Sequence, residues 1–276
     1  MFNVHPRLFP LNLNSPPSSS FWNSLMVQRR VIGALLMREI LTRYGRHNIG
    51  FLWLFAEPML FTLGVTILWN MGNHHTYSGI SITAFVLTGY SMVLLWRNMP
   101  NRCVGIISPN ATLFFHRQIR PIDIYLSRIA LETLGATASF VTLSIVFISL
   151  GLVAPPHDLL VVFEGWMLLA WYAASVSLLV GALSEKTEVI DRIWHILQYL
   201  MIPLSGSFFV VDSLPEKAKE FVLYIPTVNC VEIMREGYFG DVSKWHYNYP
   251  YLLTANTVIL LLGLAQVRSL KINHAA

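Results

Sequence analysis

Few residues in this chain have the types and spacing that catalysis needs. Gly-Lys occurs nowhere in the 276 residues, so the glycine-rich loop whose lysine reaches nucleotide phosphates is missing. Any ATP hydrolysis therefore belongs to another chain. Ser205-Gly206-Ser207 lacks the Gly-x-Ser order of a nucleophile elbow and reads as a small-residue packing patch. His74-His75 is an adjacent pair in a short loop without further ligands, which suits solvation better than metal binding. Two carboxylates inside apolar runs carry more information: Glu57, just before Pro58, and Glu132, four residues after Arg128. A charge in hydrocarbon costs about 2.5 to 3.5 kcal/mol on insertion scales. Each of these acids must find a partner, water or the membrane interface, and Arg128 is the helical neighbour available to Glu132.

The segment from Arg97 to Arg128 carries five arginines around an apolar-aromatic knot, Leu113-Phe114-Phe115-His116. A short surface helix presenting such a knot can plug a groove on a partner, with arginines at its rim. The same residues also allow a plainer reading, a core contact flanked by charges that set topology.

Composition dictates what positions these groups. The chain is 54% hydrophobic and 12% charged, about half the roughly 25% charged share of soluble domains. Six stretches approach the ~20 apolar residues that a membrane helix needs. They run from Gly50 to Met71, Ile80 to Trp96, Ile124 to Gly151, Val161 to Leu183, Ile190 to Val211, and Tyr251 to Val267. The sequence thus predicts an all-α membrane protein with six transmembrane helices in residues 50 to 270.

The 19 basic residues flank these runs, as topology signals do, and give no nucleic-acid surface. Fifteen fall on the side shared by residues 1–49, 97–128, 184–192 and the C-terminal end, against four in residues 212–250 on the other side. The excess of Lys and Arg predicts an inner-membrane protein with both termini cytoplasmic. Residues 1–24, with Ser15-Pro16-Pro17-Ser18-Ser19-Ser20, read as a flexible cytoplasmic tail, and 271–276 as a short cytoplasmic end. Cys103 and Cys230 fall on opposite sides, so no disulfide is expected between them.

Two segments do not fit a simple span. Between residues 25 and 49, Gly33, Leu36, Met37, Ile40, Leu41 and Tyr44 share one helical face, with Arg38, Glu39, Thr42, Arg43 and Arg46 opposite. That pattern predicts an interfacial helix in the cytoplasmic headgroup layer. Between 212 and 250, two apolar patches too short to cross are separated near Pro226. They predict two short re-entrant or interfacial helices before the last span, sheltered by protein or water.

Residues 37–60, MREILTRYGRHNIGFLWLFAEPML, resemble the ABC-2 permeases that export bacterial polysaccharides, and the capsular subgroup most of all. The segment His116-Arg117-Gln118-Ile119-Arg120-Pro121-Ile122-Asp123-Ile124 is similar to that family's approach to the third span, and the likeness extends over about residues 25–270. The resemblance implies a permease homodimer seated on two copies of a separate nucleotide-binding ATPase, which holds ATP and Mg. This chain itself would carry no cofactor. It also implies a lipid-linked glycan as cargo, with a periplasmic co-polymerase and an outer-membrane exporter as further partners. By the same likeness, Leu113, Phe114, Phe115, His116 and Arg117 in the 97–123 loop would couple to the ATPase, and residues 212–250 would form periplasmic gate helices.

Sugar rings stack on aromatic faces, so Trp53, Phe55, Tyr90 and Trp96, with Glu57, are candidate channel residues. The membrane-interface aromatic belt is the alternative for Tyr90 and Trp96. Arg38, Arg43 and Arg46 stand where a lipid phosphate or acidic sugar would enter, and generic attraction to anionic lipid remains open beside that reading. O-antigen, teichoic acid and drug exporters share the architecture. Ion-coupled transporters and lipid-sugar enzymes fit less well, because neither internal repeats nor paired acids are evident.

Overall fold

A computed structural model describes residues 21–44, 59–65, 67–68, 71, 76–77, 79–115 and 119–270. Eight helices are assigned among them: α1 (Phe21–Tyr44), α2 (Ile82–Cys103), α3 (Pro121–Ser149), α4 (Leu159–Ser184), α5 (Glu188–Leu204), α6 (Glu216–Leu223), α7 (Pro226–Phe239) and α8 (Tyr249–Arg268). Residues 59–65 are also helical. A 3-10 segment, Ser108–Phe115, lies between α2 and α3. The all-helical expectation needs one small amendment. Thr76–Tyr77 and Ile80–Ser81 pair as an antiparallel ladder, turned at Gly79, whose φ of 81° favours a residue without Cβ.

Local chemistry sets the helix starts. The Asp158 carboxylate accepts from the N–H groups of Leu160 and Val161 at 2.8 and 3.3 Å, capping α4. Asn248 caps α8 in the same way through Tyr251 N–H at 3.1 Å. Proline opens α3 and α7, where its missing N–H and fixed φ suit the first turn.

By length and composition, α3, α4 and α8 are long and apolar enough to cross a membrane. The 17 residues of α5 reach about 26 Å, short of a ~30 Å hydrocarbon layer. The expected span from 50 to 71 falls largely outside the described residues.

Helix α4 is the hub, packed by α2, α7 and α8. Its crossing with α7 depends on two glycines. A Cβ on Gly165 would stand 2.6 Å from Met234 N, and one on Gly237 would stand 2.5 Å from Val162 N. The backbones therefore approach as small-residue membrane crossings do. The largest core cluster, including Leu87, Met92, Leu95, Leu169, Ile233 and Met234, fills the space between these helices. A second cluster joins Leu35, Phe114, Ile124, Tyr125, Leu178 and Val267 at the end of the bundle where α1 lies.

Candidate functional site

The two ends of the bundle hold its polar constructions. At one end, α1 is strapped to α3. Gln28 Nε2 donates to Asp123 Oδ1 at 2.9 Å, and Arg128 Nη1 stands 2.6 Å from Glu39 Oε1. Asp123 also accepts from the Arg120 N–H at 2.9 Å through Oδ2, so one carboxylate starts α3 and fastens α1. Arg38 Nη1 donates to Asn110 Oδ1 at 3.0 Å, joining α1 to the 3-10 segment.

This geometry sharpens the local sequence expectations. The inward face of α1 carries Gln28, Val31, Leu35 and Glu39, whereas Met37 and Leu41, on the apolar face that periodicity set opposite Arg38 and Glu39, are 58% and 65% exposed. Helix α1 has two opposed apolar sectors, and the one flanked by partners for Asp123 and Arg128 turns inward. Arg128 pairs with Glu39, not Glu132. Glu132 is buried, with Arg102 Nε at 4.0 Å. Phe114 is 6% exposed inside the second core cluster, with Leu113 packed against it. It follows the plainer core reading, and the outward face of the 3-10 segment is formed by Ser108, Pro109, Ala111 and Thr112.

At the opposite end, α6 and α7 follow one another as two helices divided just before Pro226, as the sequence predicted. Arg235 of α7 is fully buried. Its Nη1 donates to the carbonyls of Gly206 and Phe209 at 2.8 and 2.7 Å, and Nη2 to that of Ser207 at 2.6 Å. The guanidinium carbon also lies 4.1 Å from the centre of the Phe85 ring, a cation–π contact. Gly89 of α2 leaves the room this side chain needs, because a Cβ there would stand 3.0 Å from Arg235 Nη2. One turn earlier, the buried Glu232 accepts from Val211 N–H at 3.3 Å and His246 N–H at 3.2 Å. One helical turn of α7 thus holds the 206–211 loop on one side and the segment at His246 on the other.

An outer ionic latch spans the same two segments. His246 Nε2 lies 3.0 Å from Asp212 Oδ1, and Lys219 Nζ lies 3.5 Å from Asp212 and 3.2 Å from Glu216. The hydrogen bond from His246, helped by Lys219, holds the Asp212 carboxyl below the usual carboxylate range. The hydrogen bond to Glu216 chiefly, with Asp212, raises Lys219. Beside the latch opens a cleft of about 700 Å³ lined by Asp212, Ser213, Glu236, Asp241, Lys244 and Trp245, among others. Trp245 is fixed at its edge by donating to Gly240 O at 2.7 Å.

The predicted residues divide unevenly. Tyr90 is half-buried and stacks on Phe61 with ring centres 3.8 Å apart. Trp96 is 3% exposed in the main core, so within this chain it packs and lines no open path. Arg46, Trp53, Phe55, Glu57, His74, His75, His116 and Arg117, with the side chains of Arg43 and Phe115, lie outside the described residues. Sequence reading missed Arg235 and the Asp212–His246 contact. A sequence signal for the first existed, since Glu232 and Arg235 interrupt an apolar run at i, i+3 spacing.

The family model for the ABC-2 type transporter matches residues 30–239. The capsule polysaccharide export inner-membrane protein CtrC of Neisseria meningitidis serogroup B is 45% identical over 249 residues, covering 90% of this chain and 94% of that protein. The corresponding protein BexB of Haemophilus influenzae is 39% identical over 251 residues, covering 91% and 95%. The polysialic acid transport protein KpsM of Escherichia coli is 28% identical over 243 residues, covering 88% and 94%. The match runs from the strapped helix α1 through the buried turn of α7, and the chain belongs to the ABC-2 type transporter family as a helical membrane protein.

Proposed function

We propose that this chain is the membrane permease subunit of an ATP-driven exporter that moves a lipid-linked capsular polysaccharide from cytoplasm to periplasm. The observation that carries the reading is 45% identity along 90% of the chain to a capsule polysaccharide export inner-membrane protein. In this reading nucleotide hydrolysis, with ATP and Mg, belongs to a separate ATPase subunit, in keeping with a sequence that contains no Gly-Lys phosphate loop.

In this reading two copies of the permease sit on two ATPase copies, each permease contributing six spans, with both termini cytoplasmic. The α1 end, which carries most of the basic residues, faces the cytoplasm. Helix α1 lies at the headgroup layer, its exposed Trp22, Met26, Met37 and Leu41 toward lipid. Arg38, Arg43 and Arg46 form a cationic entrance for a lipid phosphate or acidic sugar.

ATP-driven closure of the partner subunits reaches the membrane through the 3-10 segment Ser108–Phe115 and the residues after it. Phe114 and Leu113 seat that segment in the core, while its outward residues meet the ATPase. A push there is transmitted to α1 through Arg38–Asn110 and to α3 and α4 through the shared cluster. Residues 212–250 form the periplasmic gate, and a co-polymerase with an outer-membrane exporter receives the glycan beyond it. Deleting the chain from its own cells should abolish surface polysaccharide while lipid-linked glycan accumulates inside, and supplying it again should reverse both. Normal surface polysaccharide without the chain would end the proposal.

A further inference from the structure

Helices α4 and α5 are joined by Glu185, Lys186 and Thr187 alone, and these residues are fastened in different directions. Ile107 N–H donates to Glu185 Oε1 at 2.7 Å, and the Ser108 N–H bonds to the same carboxylate. Both N–H groups stand at the open start of the 3-10 segment, where helical turns leave donors without partners and favour an anionic acceptor. Just before them Gly105, at a φ of 61°, donates its N–H to Ser184 Oγ at 3.1 Å. Lys186 Nζ lies 2.6 Å from Gln266 Oε1 and 2.7 Å from Ser269 Oγ, at the C-terminal end of α8. Thr187 starts α5, its carbonyl accepting from Ile190 N–H at 3.2 Å.

The turn has little slack on its α4 side. A Cβ on Gly181 would stand 2.6 Å from the Tyr125 ring and 2.8 Å from Cys103 O, so α4 lies directly on α2 and α3 one turn before Glu185. Burial raises the Glu185 carboxyl above its ordinary value, and the bonds from the Ile107 and Ser108 N–H groups oppose that rise. Within this chain α5 is held far more loosely. Only Gln198 of its 17 residues is buried, and Val189, Ile193, Ile196 and Leu200 are exposed. A helix of that length reaches about 26 Å, and its far end leads into the 206–211 loop that Arg235 and Glu232 hold. From Ile107 to that loop the contacts are contiguous, a route of the kind that carries energetic coupling between distant sites.

We infer that Glu185 is a positioning residue for export, clasping the 3-10 segment to the α4–α5 turn so that movement imposed by the ATPase passes to α5 as well as to α1. The inference rests on the export reading. Both bonds come from backbone N–H groups, so the clasp leaves the outward side chains of Pro109, Ala111 and Thr112 free to meet a partner. What the clasp needs is an acceptor at the right reach. A glutamine amide oxygen keeps that reach, whereas alanine removes the acceptor and aspartate withdraws it by one carbon.

The test uses the full chain with its ATPase in inverted membrane vesicles, supplied with lipid-linked glycan and Mg-ATP. Glu185→Ala should keep the ATPase on affinity purification and hydrolyse ATP within about twofold of the unaltered complex, while glycan moved per ATP falls about tenfold. Glu185→Gln should return that ratio to within about twofold. A merely structural role would lower the amount of complex and leave the ratio of the surviving complex unchanged. Thr187 is exposed and Cys103 and Cys230 are buried, so a fluorophore on Thr187→Cys reports the turn. Its emission should change on ATP binding with Glu185 present and stay constant with Glu185→Ala. If Glu185→Ala does not accumulate, Glu185→Asp takes its place with the same expected losses. Unaltered glycan per ATP in the alanine or aspartate chain, loss of the ATPase from it, or no recovery in Glu185→Gln would each overturn the assignment. Failure of the export reading looks different: the unaltered chain would then move no glycan, while the emission change and its loss still decide whether the clasp transmits.

Discussion

The Arg128 guanidinium lies 2.6 Å from the Glu39 carboxylate, and both side chains are largely shielded, at 15% and 24% exposure. This pair fixes α1 along α3, far in sequence from its own helix. In a double-mutant cycle with Ala at each position, thermal unfolding of the detergent-purified chain should show a coupling of about 1 to 2 kcal/mol. Additive single effects would mean that the pair holds nothing.

Arg235 occupies four groups at once, three carbonyls and the Phe85 ring. Replacing it by Leu strands the carbonyls of the 206–209 loop and leaves Glu232 nearby without its neighbouring cation. A loss of about 3 to 5 kcal/mol is expected, as for other broken buried charges. Membrane accumulation of Arg235→Leu should fall sharply, and Arg235→Lys should recover only part of it because one ammonium cannot reproduce the planar fork. Normal accumulation and melting of Arg235→Leu would contradict the structural role.

The ionic latch predicts a pH response. A carboxyl depressed in the folded state, as Asp212 is, contributes stability that is whole above its unfolded value of about 3.9 and is lost as pH falls through the folded one. Lys219, raised in the folded state, contributes fully below about 10.4 and loses that contribution as pH rises through its folded value. Acidification below about pH 5 should therefore lower the melting temperature of the wild type more than that of Asp212→Asn. Parallel acid curves for the two proteins would remove Asp212 from the latch.

The same physics explains which features were legible in the sequence. Apolar runs longer than a bilayer's thickness announced α3, α4 and α8, and Pro226 announced the break between α6 and α7. Periodicity on α1 marked the apolar face of Met37 and Leu41, which is exposed, and left the opposite, packed side of Val31 and Leu35 unmarked. The inward choice depends on Gln28 and Glu39 meeting Asp123 and Arg128, which are distant in sequence. Arg128 had a local partner in Glu132, yet the tertiary contact won. The charges of Glu232 and Arg235 in an apolar run marked the place, but the partners of Arg235, three carbonyls 26 to 29 residues away, were not readable from its neighbourhood of sequence.

Burial of Phe114 gives the 3-10 segment Ser108–Phe115 an inner and an outer side. Phe114→Ala should destabilise the chain by about 3 to 5 kcal/mol, the usual loss for a buried phenylalanine. Thr112→Arg, on the exposed side, should leave melting within about 0.5 kcal/mol and reduce co-purification of the ATPase at least fivefold. If Thr112→Arg retains the ATPase fully, the docking face lies elsewhere.

The central claim is that this chain passes a lipid-linked polysaccharide across the membrane under the drive of a partner ATPase. Inverted vesicles containing the chain and that ATPase, supplied with labelled lipid-linked capsular glycan and Mg-ATP, measure it directly. The account predicts protease- and glycosidase-protected glycan inside the vesicles, lost without ATP and lost with an inactive ATPase but unaffected by collapse of the proton gradient. Accumulation that persists without ATP and vanishes with the proton gradient would contradict it.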